Sequence, residues 1–191
     1  MRSPHTQHGR RRPAVALIAA LAVAVTATPA LAADCPGANS EPGELGTTEA
    51  TRVTLCLVNA ERTQRGLGKL RANRKLAKAA RRYAHSMVDR GFFAHVSPNG
   101  STPLARIKAT GYLRGASGWS IGENLAWGTG DLATPVSIVR SWMDSPGHRE
   151  NILNKGFREF GMGVALGAPD DSYDGDIGAT YVNAFGSRGH S

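Results

Sequence analysis

The chain has 191 residues, a formal net charge of +8 and two cysteines. That length accommodates one domain with a substantial core, and two cysteines are too few for a thiolate zinc site. Much of the charge sits at one end: Arg2, Arg10, Arg11 and Arg12 precede the first acidic residue, and without them the balance is +4, compatible with anionic cell-surface polymers and with nucleic acid alike.

Residues 1–32 read as a secretory signal peptide. Arg10, Arg11 and Arg12 form a basic n-region, and an apolar run from Ala14 to Val25 is short for a membrane span. Ala30 and Ala32 supply the small-x-small cleavage pattern, so the exported chain is expected to begin near Ala33. In an oxidising compartment Cys35 and Cys56 are expected to form a disulfide. Residues 33–47, rich in Gly, Pro, Asn and Glu without periodicity, read as a linker.

From Thr48 the pattern is helical, with Val53, Cys56, Leu57 and Ala60 on one face, until Gly66. Asn73 caps a second helix whose apolar stripe is Leu76, Ala80, Tyr83, Ala84 and Met87, stopping at Gly91. Its other face carries Arg74, Lys75, Lys78, Arg81 and Arg82 and reads as solvated rather than polyanion-binding. A loop over 92–100 leads to a short helix with Ser101 or Thr102 as cap and Pro103 in its first turn. Residues 115–130 read as a glycine-rich loop.

A helix follows from Pro135 to Asp144 with Ile138, Val139 and Trp142 inward. Ser145 then caps another, with Pro146 at its first position and His148 at its third. Phe160, Met162, Val164 and Leu166 alternate as a strand does, and Ala179, Tyr181, Asn183 and Phe185 form its partner. The polar segment between them, with Asp170, Ser172, Asp174 and Gly175, starts like a calcium loop. Its twelfth position is Tyr181 rather than a glutamate, so it reads as a solvated hairpin loop. Helices early and strands late indicate an α+β fold.

Five motifs occur in order: Leu57-Val58-Asn59-Ala60-Glu61-Arg62, Phe93-Ala94-His95-Val96-Ser97-Pro98, Gly122-Glu123-Asn124-Leu125-Ala126-Trp127, Trp142 through Leu153, and Tyr181-Val182-Asn183-Ala184-Phe185-Gly186. This set resembles the CAP superfamily of cysteine-rich secretory, antigen 5 and pathogenesis-related 1 proteins, in a bacterial, SCP-like form. The resemblance covers roughly 49–186 and places the domain at 48–186, with 187–191 as a tail. It implies an α-β-α sandwich, a central and mostly antiparallel sheet between helical layers, in a secreted protein with an open cleft. It implies that His95, Glu123 and His148 line that cleft, and that in some members these positions hold zinc or another divalent cation. The further glutamate of the eukaryotic pattern is replaced by Ser145, and Asp144 would point about 100° away on a helix.

The chemistry fits that assignment. Metal binding needs neutral imidazoles and a carboxylate, and the positive end of a helix dipole disfavours a charged His148. Each residue also has a structural role open to it: His95 capping its loop, His148 bonding backbone, Glu123 satisfying loop amides. Ser97, Ser101 and Ser145 lie near the histidines in sequence but in no nucleophile-elbow pattern.

Two functions follow. One is a secreted module binding a lipid, sterol, peptide or cell-wall fragment, with or without metal; no nucleic-acid partner is expected. The alternative is a metal-dependent extracellular hydrolase, peptidase-like, with Glu123 as its catalytic residue. A glutamate in a mobile loop predicts that Glu123→Gln weakens binding and barely moves the unfolding midpoint, whereas Trp142→Ala destabilises.

Overall fold

The computed structural model describes residues 34–169 and 178–189. The expected signal peptide and the calcium-like segment at Asp170–Gly175 lie outside them. In chain order the elements are α1 (Pro42–Leu45), α2 (Thr47–Thr63), β1 (Arg71–Ala72), α3 (Arg74–Asp89), α4 (Pro103–Ala109) and β2 (Gly118–Thr129). A 3-10 turn (Gly130–Ala133), α5 (Pro135–Asp144), α6 (Pro146–Leu153), β3 (Glu159–Leu166) and β4 (Gly178–Gly189) complete them. The strand order is β1-β3-β4-β2, with β1 parallel to β3 and the other two pairings antiparallel.

Helices α3 and α4 cover one face of this sheet. Leu76, Tyr83 and Met87 of α3 bury their apolar stripe there against Leu125, Val182 and Ala184. Helices α2, α5 and α6 cover the other, where Val53, Leu57, Ile138, Trp142 and Ile152 meet Phe160, Tyr181 and Phe185. The sandwich and its mostly antiparallel sheet are as expected. Helix starts also follow their local chemistry. The Asn73 side chain accepts from the amides of Lys75 and Leu76 at 2.9 and 3.2 Å. Thr102, of the two candidates, accepts from Ala105 N at 3.2 Å. Ser145 holds the extended N-cap conformation of α6 but makes no side-chain cap bond.

Three expectations are corrected. Residues 33–47 are not a loose linker over their described part. Cys35 is bonded to Cys56 on α2, Cys35 and Ala38 are buried, and the Ala38 carbonyl accepts from Val136 N at 3.0 Å. The glycine-rich stretch 115–130 is not a loop either, because Gly118–Thr129 is a strand paired along its whole length with β4. Its glycines mark close approaches: a Cβ at Gly122 would lie 2.8 Å from Asn151 Oδ1 and 2.9 Å from Phe157 Cζ. Strand β4 also continues to Gly189, so the expected tail at 187 begins inside the sheet.

The alternation in β3 reads as a half-buried strand, yet both faces are buried. Phe160, Met162 and Val164 face α2, while Gly161, Gly163 and Ala165 lie under α3. A Cβ at Gly161 would fall 2.2 Å from the Leu76 carbonyl carbon, and one at Gly163 would fall 2.2 Å from Arg81 N. The α3 backbone therefore lies directly on the sheet, and small residues rather than polar ones make up the second face.

Candidate functional site

Strand β2 is an edge strand, and the candidate site straddles it. Its Gly-Glu-Asn triplet divides three tasks by the two-residue period of a strand. Gly122 admits α6 and Phe157 against the strand. Asn124 points to the same side and holds α6 in place: its Nδ2 donates to the His148 carbonyl at 3.0 Å, and its Oδ1 accepts from Asn151 Nδ2 at 2.8 Å. Asn151 Nδ2 also reaches the Glu123 carbonyl at 3.3 Å. Glu123 points to the opposite side, toward α4 and the loop that follows α3.

There the Glu123 side chain is only 6% exposed and fully engaged. Arg106 Nη2 of α4 donates to both carboxylate oxygens, at 3.0 and 2.8 Å, and His95 Nδ1 lies 2.9 Å from Oε1. Arg106 is the hub of this side. Its guanidinium lies 3.2 Å over the Tyr83 ring, its Nη1 donates to Ser101 O at 2.7 Å, and its Nη2 donates to His95 O at 3.0 Å. The Tyr83 hydroxyl in turn donates to the Ala94 carbonyl. Buried Tyr83 and half-buried Arg106 thus pin the loop that carries His95, while the His95 side chain stays 52% exposed. Ser97 Oγ accepts from Ser101 N at 3.0 Å, a loop role.

His148 is half-buried on α6. Burial first, and the neighbouring His95 second, hold its imidazole below the ordinary value of 6.5. A base whose folded pKa is lowered binds fewer protons folded than unfolded. Its stabilising contribution is therefore present above about pH 6.5 and is lost as pH falls through the folded value. An NMR titration of the imidazole proton should place the His148 midpoint below that of a histidine in the urea-unfolded chain. A midpoint at or above the unfolded one would refute this environment.

The structure brings His95 and Glu123 into contact and sets His148 across the edge strand from them. It does not assemble the three as ligands of one ion: among the described residues, no group of three or more His, Cys, Asp or Glu side chains could hold a metal. Asn124 belongs to a motif the sequence shows, but its hold on α6 is not readable there, and Arg106, which holds the His95 loop, lies in none of the five motifs. A seven-residue helix has too little periodicity to reveal an inward-turned arginine.

Comparison with known proteins decides the family. The sequence profile of CAP, the cysteine-rich secretory protein family, matches residues 55–182. The chain belongs to this family. Two Bacillus subtilis (strain 168) proteins are similar to the CAP domain. Uncharacterized protein YkwD is 40% identical over 107 residues, spanning 56% of this chain and 39% of YkwD. Uncharacterized membrane protein YlbC is 29% identical over 117 residues, spanning 61% of this chain and 32% of YlbC. The chain thus spans well under half the length of these relatives. Among solved structures, an extracellular protein containing an SCP domain from Bacillus anthracis str. Ames superimposes with a TM-score of 0.58 at 26% identity, covering 73% of this chain and 40% of that one. An outer surface protein from Borrelia burgdorferi shares the fold, with a TM-score of 0.58 at 23% identity over 74% of this chain and 94% of its own.

Proposed function

We propose that this CAP domain is a secreted binding module whose cleft at the β2 edge takes a lipid, sterol, peptide or cell-wall fragment. The engagement of Glu123 carries that reading. A general base must present a free carboxylate to water, and a three-ligand catalytic zinc site needs a third protein donor. Both oxygens of Glu123 are instead taken by Arg106 and His95. A carboxylate on Nδ1 fixes the tautomer of His95 and leaves Nε2 as a free acceptor. We propose His95 and His148, whose charges are near enough to act on each other, as the two imidazole ligands of a weakly held zinc or similar ion, with Glu123 orienting rather than coordinating. When bound, such an ion supplies a Lewis-acidic contact for a ligand oxygen.

Exposed Phe93 and Val96 flank His95 in the loop, and exposed Trp119 precedes Glu123 on the same face of β2. Apolar groups around a polar centre suit an amphiphilic ligand. Secretion is supported by the N-terminal signal pattern and by the extracellular description of the Bacillus anthracis relative. No helix among the described residues is long and apolar enough to cross a membrane.

Calorimetry with zinc, paired with a mixed-peptide digestion assay on the zinc-loaded chain, tests the proposal. Binding should be weak, absent in His95→Ala and in His148→Ala, and accompanied by no cleavage. It should also weaken in acid, because a metal binds only the neutral form of an imidazole. Zinc-dependent cleavage that disappears in Glu123→Gln would establish the hydrolase instead.

A further inference from the structure

We propose that a cavity between α3 and α4, behind the Glu123–His95 pair, is a second binding site, for an oxyanion group, phosphate or carboxylate, on a small ligand. The cavity encloses about 280 Å³. Arg82 and Ser86 line it from α3, four residues apart on one helix face, and Arg90, which caps the C-terminus of that helix, lines it from the chain just beyond. Asn99 faces them from the opposite loop, and Tyr83 with Arg106 forms the floor.

The donors and acceptors here are unbalanced. Among the described residues no acidic side chain lines the cavity, and neither Arg82 nor Arg90 has a carboxylate partner. The Asn99 carbonyl is already used inside its loop, by Ser97 Oγ and by Ser101 N at 3.3 Å, so its amide hydrogens remain to be used. Arg82, Arg90, Ser86 and Asn99 thus border one space; the Arg90 guanidinium lies 5.6 Å from the Phe92 ring centroid, a contact that leaves its N–H donors available. Cations are repelled from it, and a neutral acceptor gains only ordinary hydrogen bonds there, without the charge-assisted strength an anion obtains. A phosphate or carboxylate can accept from both arginines.

The size and the remaining walls bound the ligand. Ala79, Ala105 and Ala109 give the cavity a smooth apolar side. The volume falls at the low end of small-molecule sites, which accommodates an anionic group with a few carbons attached rather than a polymer. The site is separate from the zinc-type histidine cleft. It nevertheless shares Arg106 with it, so a bound anion sits one guanidinium away from the pair that orients His95.

Calorimetric titration of the full chain at fixed ionic strength tests this, with inorganic phosphate, glycerol 3-phosphate and lactate as probes. Saturable binding of phosphate or lactate is expected, weakened at least about tenfold in the Arg82→Gln/Arg90→Gln variant. The control variant Arg74→Gln/Lys78→Gln removes equal charge from exposed positions of the same helix outside the cavity and should bind as the parent does. All four positions are exposed, so neither variant should disturb folding, which circular dichroism confirms. Stronger binding of glycerol 3-phosphate than of lactate assigns a phosphorylated ligand, and the reverse assigns a carboxylate. Equal weakening in both variants, or no saturable binding of any probe, overturns the proposal. Zinc binding is not part of the readout, so the two sites stand or fall separately.

Discussion

Glu123→Gln should lower the melting temperature by several degrees as well as weaken the cleft. The Arg106 side chain is 11% exposed and that of Glu123 6%. Removing one partner of such a pair strands the other charge in a poorly solvated place, at a cost of about 3–5 kcal/mol when nothing replaces it. Glutamine keeps an acceptor for Arg106 Nη2, so the loss should fall toward about 2–3 kcal/mol, the difference between charge-assisted and neutral hydrogen bonds with some residual desolvation. For a domain of this size each kcal/mol shifts the midpoint by roughly 2–4 °C. The sequence alone predicts little change, because it places Glu123 in a mobile loop. The structure places it in a paired strand against a largely desolvated arginine, and the expectation reverses.

A double-mutant cycle separates this pair from general loss of packing. Arg106→Met alone should also destabilise, by leaving Glu123 without its counter-charge and the His95 carbonyl without this donor, while the Ser101 carbonyl keeps only its bonds from Ser97. The double variant should be less destabilised than the sum of the two singles, with a coupling of roughly 1–3 kcal/mol. Additive effects, or an unshifted midpoint in Glu123→Gln, would show that the ion pair contributes nothing to the fold.

The contrast between Glu123 and Arg106 shows what was legible. Positions that repeat with a helical or strand period were readable: the α3 stripe ending at Met87, the inward face of α5, and Phe160 alternating with Met162. The three candidate residues came from the Gly-Glu-Asn and two histidine motifs, and of these the structure joins His95 and Glu123. Their division of labour was not legible, because it depends on which face of β2 each residue occupies. The strand itself was hidden by its glycines. In local sequence glycine signals a turn, but Gly122 is there because Asn151 and Phe157 approach from the next layer, a contact about 30 residues away. The same physics hid the second face of β3, where Gly161 and Gly163 look like breaks and are instead the bed of α3. Packing of the N-terminal segment was anticipated only through its disulfide; burial of Ala38 against the start of α5 is a long-range contact with no periodic trace.

Trp142→Ala should be the most destabilising single change in the helical layer behind the cleft. The side chain is 0% exposed and sits among the residues that join α2, α5 and the sheet. Truncating it should cost roughly 3–5 kcal/mol through lost burial and the cavity left behind. A second loss follows from its indole. Trp142 Nε1 donates to the Leu125 carbonyl at 3.0 Å, on the outer edge of β2, where no further strand pairs among the described residues. Without it that carbonyl is left without its donor inside the core, at about 1–3 kcal/mol. Trp142→Phe separates the two contributions, because it keeps most of the apolar volume and removes only the N–H. The phenylalanine variant should lose about the hydrogen-bond share, and the alanine variant should lose that and the cavity cost together, with a midpoint lower by roughly 10 °C or more. Thermal melts of both proteins decide. If phenylalanine is as damaging as alanine, the indole bond rather than packing holds the β2 edge. If phenylalanine is neutral, the Leu125 carbonyl finds another donor and the edge does not depend on Trp142 for its closure.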